Sequence, residues 1–369
     1  MSVAALSHLV LWATFALSVA FGAVMHRTQF CAMGAVADIV SFGDWTRMRM
    51  WMLAVATAMI GTNALALAGQ IDPGQSIYAS ASALTWLSAL LGGAVFGFGM
   101  VLASGCGSKT LVRLGSGSLK AAVVFVMLAI GAYATMRGIL AAPRVYGIDR
   151  VALQLGGPQD LPSLLTRHGL GSIALWRGVF GLGGGALLAA WALARRDARN
   201  ARNLLGGVGV GALVVALWWV CGHLGYIAED PDTLLPTFVG TAGNHIESFT
   251  FVAPLGNTLF WLLMYSDSSN VLNIGIVSVF GVVVGAAIHA AASGRFRWEG
   301  FNGARDTADH IVGGLLMGIG GVTALGCTIG QGITGVSTLS PGSVLALAGI
   351  IGGGVLGVRV QAWRLERAA

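Results

Sequence analysis

Residues Gly92–Cys106 read GGAVFGFGMVLASGC, and residues Gly313–Cys327 read GGLLMGIGGVTALGC. Eight of these fifteen positions are identical at a constant offset of 221, and the final cysteines align although the chain has only four. The likeness resumes after a four-residue insertion, with GSGSL at 115–119 against SPGSV at 340–344. The chain therefore contains one glycine-rich, cysteine-ended element twice.

The composition around this repeat indicates an all-α membrane protein. The 369 residues are 56% hydrophobic and 10% charged, whereas about a quarter of the residues of an average soluble domain are charged. Apolar runs without strand-like alternation reach the roughly 20 residues that a helix needs to cross the hydrocarbon. We predict nine full spans, near 6–25, 48–68, 84–104, 119–136, 174–194, 205–227, 271–292, 308–325 and 343–360.

Basic residues predict the orientation of these spans. With the N-terminus outside, the inside segments hold 16 of the 21 Lys and Arg residues, and the outside segments hold five. Cytoplasmic loops carry the excess of basic residues. We therefore expect a multi-pass membrane protein with an outside N-terminus and a cytoplasmic C-terminus. The net charge of +6 is mild and gives no reason to expect nucleic acid as a partner.

Four short apolar or glycine-rich segments remain, near 28–43, 106–117, 248–266 and 327–341. Short non-spanning segments at membrane depth are tolerated only where protein buries them or where they line a cavity. We predict four re-entrant helices, which gives about thirteen helices with the nine spans. Residues 138–172 are polar enough to form an outside loop.

In this topology the two copies of the repeat cross the membrane in opposite directions. The span before Cys106 runs from outside to inside, and the span before Cys327 runs the other way. We predict an inverted repeat, with residues 1–137 as one half and 205–369 as the other. Residues 138–204 supply the outside loop, a linking fifth span and a basic inside loop. Inverted repeats with broken helices bind a small solute near the midplane, where the halves meet.

Three of the four cysteines, Cys31, Cys106 and Cys327, fall in the short elements, and Cys221 falls within an ordinary span. Cys221 is expected to pack as a small buried hydrophobe. The other three recur at one position, the tip of a broken helix, where a thiol can donate to an anion. The supporting polar and glycine residues predicted around them are Gly105, Gly107, Ser108, Lys109, Gly326, Thr328 and Gln331. The sequence has no CxxC motif and no zinc-ligand spacing, and we predict neither a metal nor a cofactor.

Four stretches carry a family resemblance: RTQFC at 27–31, SGCGSKTLVRLGSGSLKA at 104–121, FVAPLGNTLFW at 251–261 and GCTIGQGITGVSTLSPGS at 326–343. Together they resemble the YeeE/YedE family of sulfur-transport-domain membrane proteins, which includes thiosulfate transporters. The resemblance implies a protein of the bacterial inner membrane with thirteen helices around an hourglass constriction. It further implies uptake of thiosulfate past Cys31, Cys106 and Cys327 by S–H···S hydrogen bonds. A small cytoplasmic TusA-like sulfur-carrier protein is an implied partner.

Three alternatives remain at this point. The chain could carry a selenium compound instead of thiosulfate. It could be a membrane thiol oxidoreductase or a sulfurtransferase that forms a persulfide, although the missing CxxC motif disfavours an enzyme. It could also be a structural or regulatory membrane subunit. We expect a transporter and not an enzyme.

Overall fold

The computed structural model describes residues 2–231, 234–267 and 270–367. The second predicted half, 205–369, therefore includes the stretches 232–233, 268–269 and 368–369, which lie outside the described residues. Within the described chain, eight helical segments are long and apolar enough to cross a membrane: Val3–Phe42, Thr46–Leu67, Trp86–Gly115, Leu119–Met136, Ile173–Ala192, Ala201–Leu224, Ile274–Ala292 and Pro341–Glu366. Each contains one of the predicted spans or most of it, so the prediction of a polytopic helical membrane protein is confirmed.

The helices are numbered in chain order. They are α1 (Val3–Thr28), α2 (Ala32–Phe42), α3 (Thr46–Leu67), α4 (Trp86–Leu102), α5 (Gly107–Gly115), α6 (Leu119–Met136), α7 (Ala141–Tyr146), α8 (Leu161–Arg167), α9 (Ile173–Ala192), α10 (Ala201–Leu224), α11 (Ala253–Leu263), α12 (Ile274–Ala292), α13 (Ala304–Thr323) and α14 (Pro341–Glu366). A π-helical turn, Gly330–Gly335, lies between α13 and α14. We call it the Cys327 turn.

The eighth predicted span, 308–325, forms α13, but this helix is more polar than the eight segments above. Its first two turns contain Asp306 and Asp309. Both carboxylates are paired, since Lys120 Nζ lies 2.8 Å from Asp306 and Arg364 lies 3.3 Å from Asp309. The apolar part of α13 is therefore shorter than a full span, and neighbouring helices neutralise its charged end.

Each predicted short segment contains a short helical element with narrower bounds than predicted. These elements are α2, α5, α11 and the Cys327 turn. Residues 138–172, predicted as a loop, also contain α7, α8 and a two-residue strand, β2 (Leu153–Gln154), which pairs antiparallel with β1 (Ala83–Leu84). A second pair joins β3 (Tyr226–Ile227) to β4 (Thr237–Phe238).

The repeated glycines bring the long helices together. Helix α4 packs along α13 and α14, and α6 packs along α13; α1 packs along α12. At Gly97 a Cβ atom would strike the carbonyl oxygen of Ile350, and at Gly318 it would strike that of Leu128. Only glycine allows backbones to approach this closely. The two GxxxG motifs, Gly93–Gly97 and Gly314–Gly318, therefore serve helix packing.

Candidate functional site

The three predicted cysteines share one local structure. Each follows, by two residues, a non-glycine residue in the left-handed backbone region: Gln29 (φ 55°), Ser104 (φ 56°) and Leu325 (φ 58°). This conformation ends a helix by turning the chain, and it costs an L-residue about 1–2 kcal/mol. Long helices end at 28, 102 and 323, and short helical elements follow the cysteines. The prediction that the cysteines lie at broken helix tips is therefore consistent with the backbone.

Backbone N–H groups surround two of the sulfur atoms. The Cys31 Sγ caps α2 by accepting from the Gly34 N–H at 3.4 Å. The Cys327 Sγ accepts from the Gly330 N–H at the same distance, and Phe251 lies nearby. Cys106 differs, because its Sγ lies 3.3 Å from the Ser108 hydroxyl. Backbone donors therefore already point at two of the three sulfur atoms, as in an anion site.

The structure arranges the three cysteines in an order. Cys106 lies close enough to interact electrostatically with both Cys31 and Cys327. All three are buried, with exposed fractions of 7% for Cys31, 1% for Cys106 and 0% for Cys327. All are free thiols. The series Cys31–Cys106–Cys327 is therefore closed to bulk water.

A cation lies beside one end of this series. Lys109, on α5, interacts electrostatically with both Cys31 and Cys106. Its Nζ donates a 2.7 Å hydrogen bond to Gln29 Oε1, and the Gln29 amide in turn donates to the His26 carbonyl at 2.7 Å. Lys109 was predicted as a supporting residue, but Gln29 was missed. Its place within RTQFC, two residues before Cys31, was the available signal.

At the other end, Cys327 lies near groups that sequence reasoning missed. The buried Tyr78 lies beside Thr250 and near Cys327. Phe21 stacks on Phe249, with ring centroids 4.4 Å apart. Tyr78 lies in the connection between α3 and α4, where no local sequence pattern predicts a contact with Cys327.

Two predicted supporting residues on the Cys327 element have unused polar atoms. Thr328 Oγ1 and Gln331 Oε1 are buried and have no hydrogen-bond partner among the described residues. The other end of the Gln331 amide donates to the Ala324 carbonyl. Buried polar atoms normally have partners. Free acceptors and hydroxyls beside Cys327 are therefore available to a solute or to water.

The predicted glycines have different surroundings. At Gly105 a Cβ would lie 3.1 Å from the Lys109 side chain, and at Gly326 it would lie 3.1 Å from the Gln331 side chain. Both glycines thus make room for a supporting residue. A Cβ atom added at Gly107 would lie 3.6 Å or more from its neighbours, which is an ordinary contact distance. Packing therefore does not require glycine at this position.

Two cavities lie at opposite ends of α6 and α12. The first, of about 300 Å³, is lined by Glu247, Arg137 and Gly326 among others; we call it the Glu247 cavity. The second, of about 690 Å³, is lined by Gln29, Arg295 and Arg297 among others; we call it the Arg297 cavity. Helix α12 has 19 residues, which span roughly 28 Å at 1.5 Å per residue. The cysteine series lies between Gln29, in one cavity wall, and Gly326, in the other.

Cys221 is buried as predicted, yet it is more than a packing residue. Its Sγ accepts a 3.1 Å hydrogen bond from the Glu247 N–H. Cys221 therefore fixes the backbone at one wall of the Glu247 cavity and is not part of the cysteine series.

Known proteins with similar sequences are transporters. The sequence profile of a family described as sulphur transport matches residues 27–356. A thiosulfate transporter, TsuA, from Spirochaeta thermophila is 28% identical over 343 residues, which cover 90% of this chain and 93% of that protein. The TsuA of Escherichia coli is 28% identical over 340 residues, covering 85% and 83% of the two chains. These relatives are named as transporters, in line with the expectation that the chain is not an enzyme.

Proposed function

Because the chain belongs to the sulphur transport family, we propose that it takes up a small inorganic sulfur anion, thiosulfate, across the bacterial inner membrane. The observation that carries this proposal is the closed series Cys31–Cys106–Cys327 between two cavities at opposite ends of α6 and α12. Both relatives named above are thiosulfate transporters.

In this proposal the chain is an inverted repeat whose short elements are re-entrant. In this correspondence the helices of the first half, α1, α2, α3, α4 and α6, are equivalent to α10, α11, α12, α13 and α14 of the second half, in that order. Contacts between the halves support it because they occur in exchanged pairs: α4–α14 with α13–α6, α1–α12 with α10–α3, and α2–α14 with α11–α6. Two halves related by a pseudo-two-fold axis would pack in this way, with the solute site where they meet.

The proposed orientation makes the Glu247 cavity the outside entrance and the Arg297 cavity the cytoplasmic exit. The excess of basic residues on the Arg297 side supports this assignment. A solute would then meet Cys327 first, Cys106 second and Cys31 last. A small sulfur-carrier protein of the TusA type would collect the sulfur compound at the Arg297 cavity.

The chemistry of the series suits a soft sulfur anion. A dianion that leaves water loses many kcal/mol of hydration unless donors replace the water. Thiols are weak donors that are mostly protonated near neutral pH and pair well with a polarisable sulfur atom. Backbone N–H groups at Cys31 and Cys327 and the cation of Lys109 supply the remaining polar contacts. The relay needs no covalent step.

Growth tests the proposed function. A host that cannot reduce sulfate should grow on thiosulfate as its sole sulfur source only when it expresses this chain. The Cys327→Ala variant should grow poorly on thiosulfate and normally on cysteine. Equal growth of the empty-vector strain and the complemented strain on thiosulfate, with the protein present in the membrane, would refute the proposal.

A further inference from the structure

The Glu247 cavity has an unusual charge composition for the entrance of an anion path. Its walls include two arginines, Arg137 and Arg144, and one histidine, His245, which favour an anion. Glu247 is the carboxylate among them. An ionised carboxylate here would repel an approaching dianion and would offset much of the attraction of the arginines.

The Glu247 side chain is held in place without a cationic partner. Its Oε1 accepts a 3.2 Å hydrogen bond from the Ala242 N–H, and its own N–H donates to Cys221 Sγ at 3.1 Å. None of the ion pairs among the described residues includes Glu247. Arg144, on the facing wall, pairs instead with Asp149 at 3.6 Å.

The segment that contains Glu247 also contacts the Cys327 turn. The extended segment that follows Glu247 places the Phe249 carbonyl 2.7 Å from the Thr334 hydroxyl, in the Cys327 turn. Two residues later, Phe251 lies near the Cys327 sulfur. The carboxyl therefore lines the cavity and belongs to the segment that also contacts the Cys327 turn.

We propose that Glu247 is a proton-binding site at the entrance, and that the path admits its dianionic substrate when Glu247 is protonated and neutral. This inference rests on the proposed function, since it concerns the entry of the same anion. Uptake is then faster when the outside solution is mildly acidic.

The Glu247 carboxyl changes its protonation state near neutral pH. Burial raises the pKa of the Glu247 carboxyl to about 7. A raised carboxyl pKa means that the neutral form prevails below this value and the anion above it. Between an outside pH of 8 and 6, the protonated fraction of such a group rises about tenfold. Thiosulfate is fully ionised over this range, so its own charge does not change.

The other titratable groups facing Glu247 are few. They are His245 on the same segment, Tyr78 from the α3–α4 connection, Arg137 and Arg144 beyond α6, and Cys221 on α10. Burial raises the pKa of the Tyr78 hydroxyl further above the working range, and arginines stay charged throughout. Histidine side chains as a class gain a proton between about pH 5 and 8. His245 therefore requires its own control.

The test measures initial rates of labelled thiosulfate uptake into proteoliposomes at an outside pH of 6, 7 and 8, with the inside pH and the membrane voltage held fixed. We expect wild-type uptake to fall roughly tenfold from pH 6 to pH 8. Glu247→Gln, a neutral mimic of the protonated form, should transport at pH 8 at about the wild-type rate of pH 6. Glu247→Asp and His245→Gln should keep a pH dependence.

Each outcome decides the matter. A flat profile for Glu247→Gln beside a steep one for His245→Gln supports the proton site. Wild-type uptake that does not change with pH, or a Glu247→Gln profile as steep as wild type, overturns this inference and leaves thiosulfate transport standing. A flat profile for His245→Gln alone assigns the effect to the histidine and also overturns it. If wild-type protein transports no thiosulfate at any pH, the proposed function fails, and this inference fails with it.

Discussion

Replacing Cys106 by alanine is the most informative single change to the proposed relay. Cys106 is the cysteine that interacts with both of the others, and it is 1% exposed. Its removal interrupts the series without opening either cavity. Alanine also keeps the backbone of the turn, since the Cys106 sulfur makes no capping hydrogen bond to the backbone at the start of α5.

The expected magnitude follows from the hydrogen bond that is lost. A hydrogen bond to a charged group contributes about 1.5–3 kcal/mol, and each 1.4 kcal/mol corresponds to about a tenfold change in rate. We therefore expect Cys106→Ala to reduce uptake roughly 10- to 150-fold. Cys106→Ser restores a donor but not a soft sulfur atom, and it should recover only part of the loss. The Ser108 hydroxyl, 3.3 Å from the sulfur, remains in both variants.

The assay is uptake of labelled thiosulfate into proteoliposomes, normalised to reconstituted protein. Cys221→Ser is the matched control, because it removes a buried thiol outside the series and its hydroxyl can still accept the bond from the Glu247 N–H. Its uptake should stay within about twofold of wild type. Wild-type rates for Cys106→Ala, with correct insertion in the bilayer, would refute the relay.

Three further changes test neighbouring parts of the site. Lys109→Met removes the cation and the 2.7 Å bond to Gln29, and it should raise the KM for thiosulfate about tenfold or more; an unchanged KM would contradict a role in binding. Gly318→Ala forces a Cβ against the α6 backbone and should cost about 1–3 kcal/mol of stability, seen as a lower Tm. Gly352→Ala, with open space around it, is its control and should leave the Tm unchanged. Gln331→Leu removes a buried unpartnered carbonyl and also the hydrogen bond from the Gln331 amide to the Ala324 carbonyl, so both uptake and the Tm should fall; unchanged uptake would contradict a role in the path.

Much of the fold could be predicted because its signals are local. The length of each apolar run indicates a span. Pro254, in the first turn of α11, indicates where that short helix begins. The pairing at the polar start of α13 could not be predicted, because the partners of its carboxylates, Lys120 and Arg364, belong to distant helices. Apolar run length alone does not reveal such compensation.

The candidate site could be predicted only in part, because many of its contacts join residues that are far apart in the sequence. Cys106 and Cys327 stand out because they end a repeat. The bond between Lys109 and Gln29 joins residues 80 positions apart, and the Glu247 N–H reaches Cys221 across 26 positions. These contacts arise from helix packing, which no spacing in one sequence records.

The most direct test of the central claim is an uptake assay with purified wild-type protein in proteoliposomes. Saturable uptake of labelled thiosulfate is measured alone and in the presence of unlabelled sulfate, sulfite or selenite as competitors. Our account predicts uptake well above that of protein-free liposomes, reduced by unlabelled thiosulfate and little affected by sulfate, which lacks the soft terminal sulfur. Uptake no greater than that of protein-free liposomes, from protein shown to be folded and inserted, would contradict it.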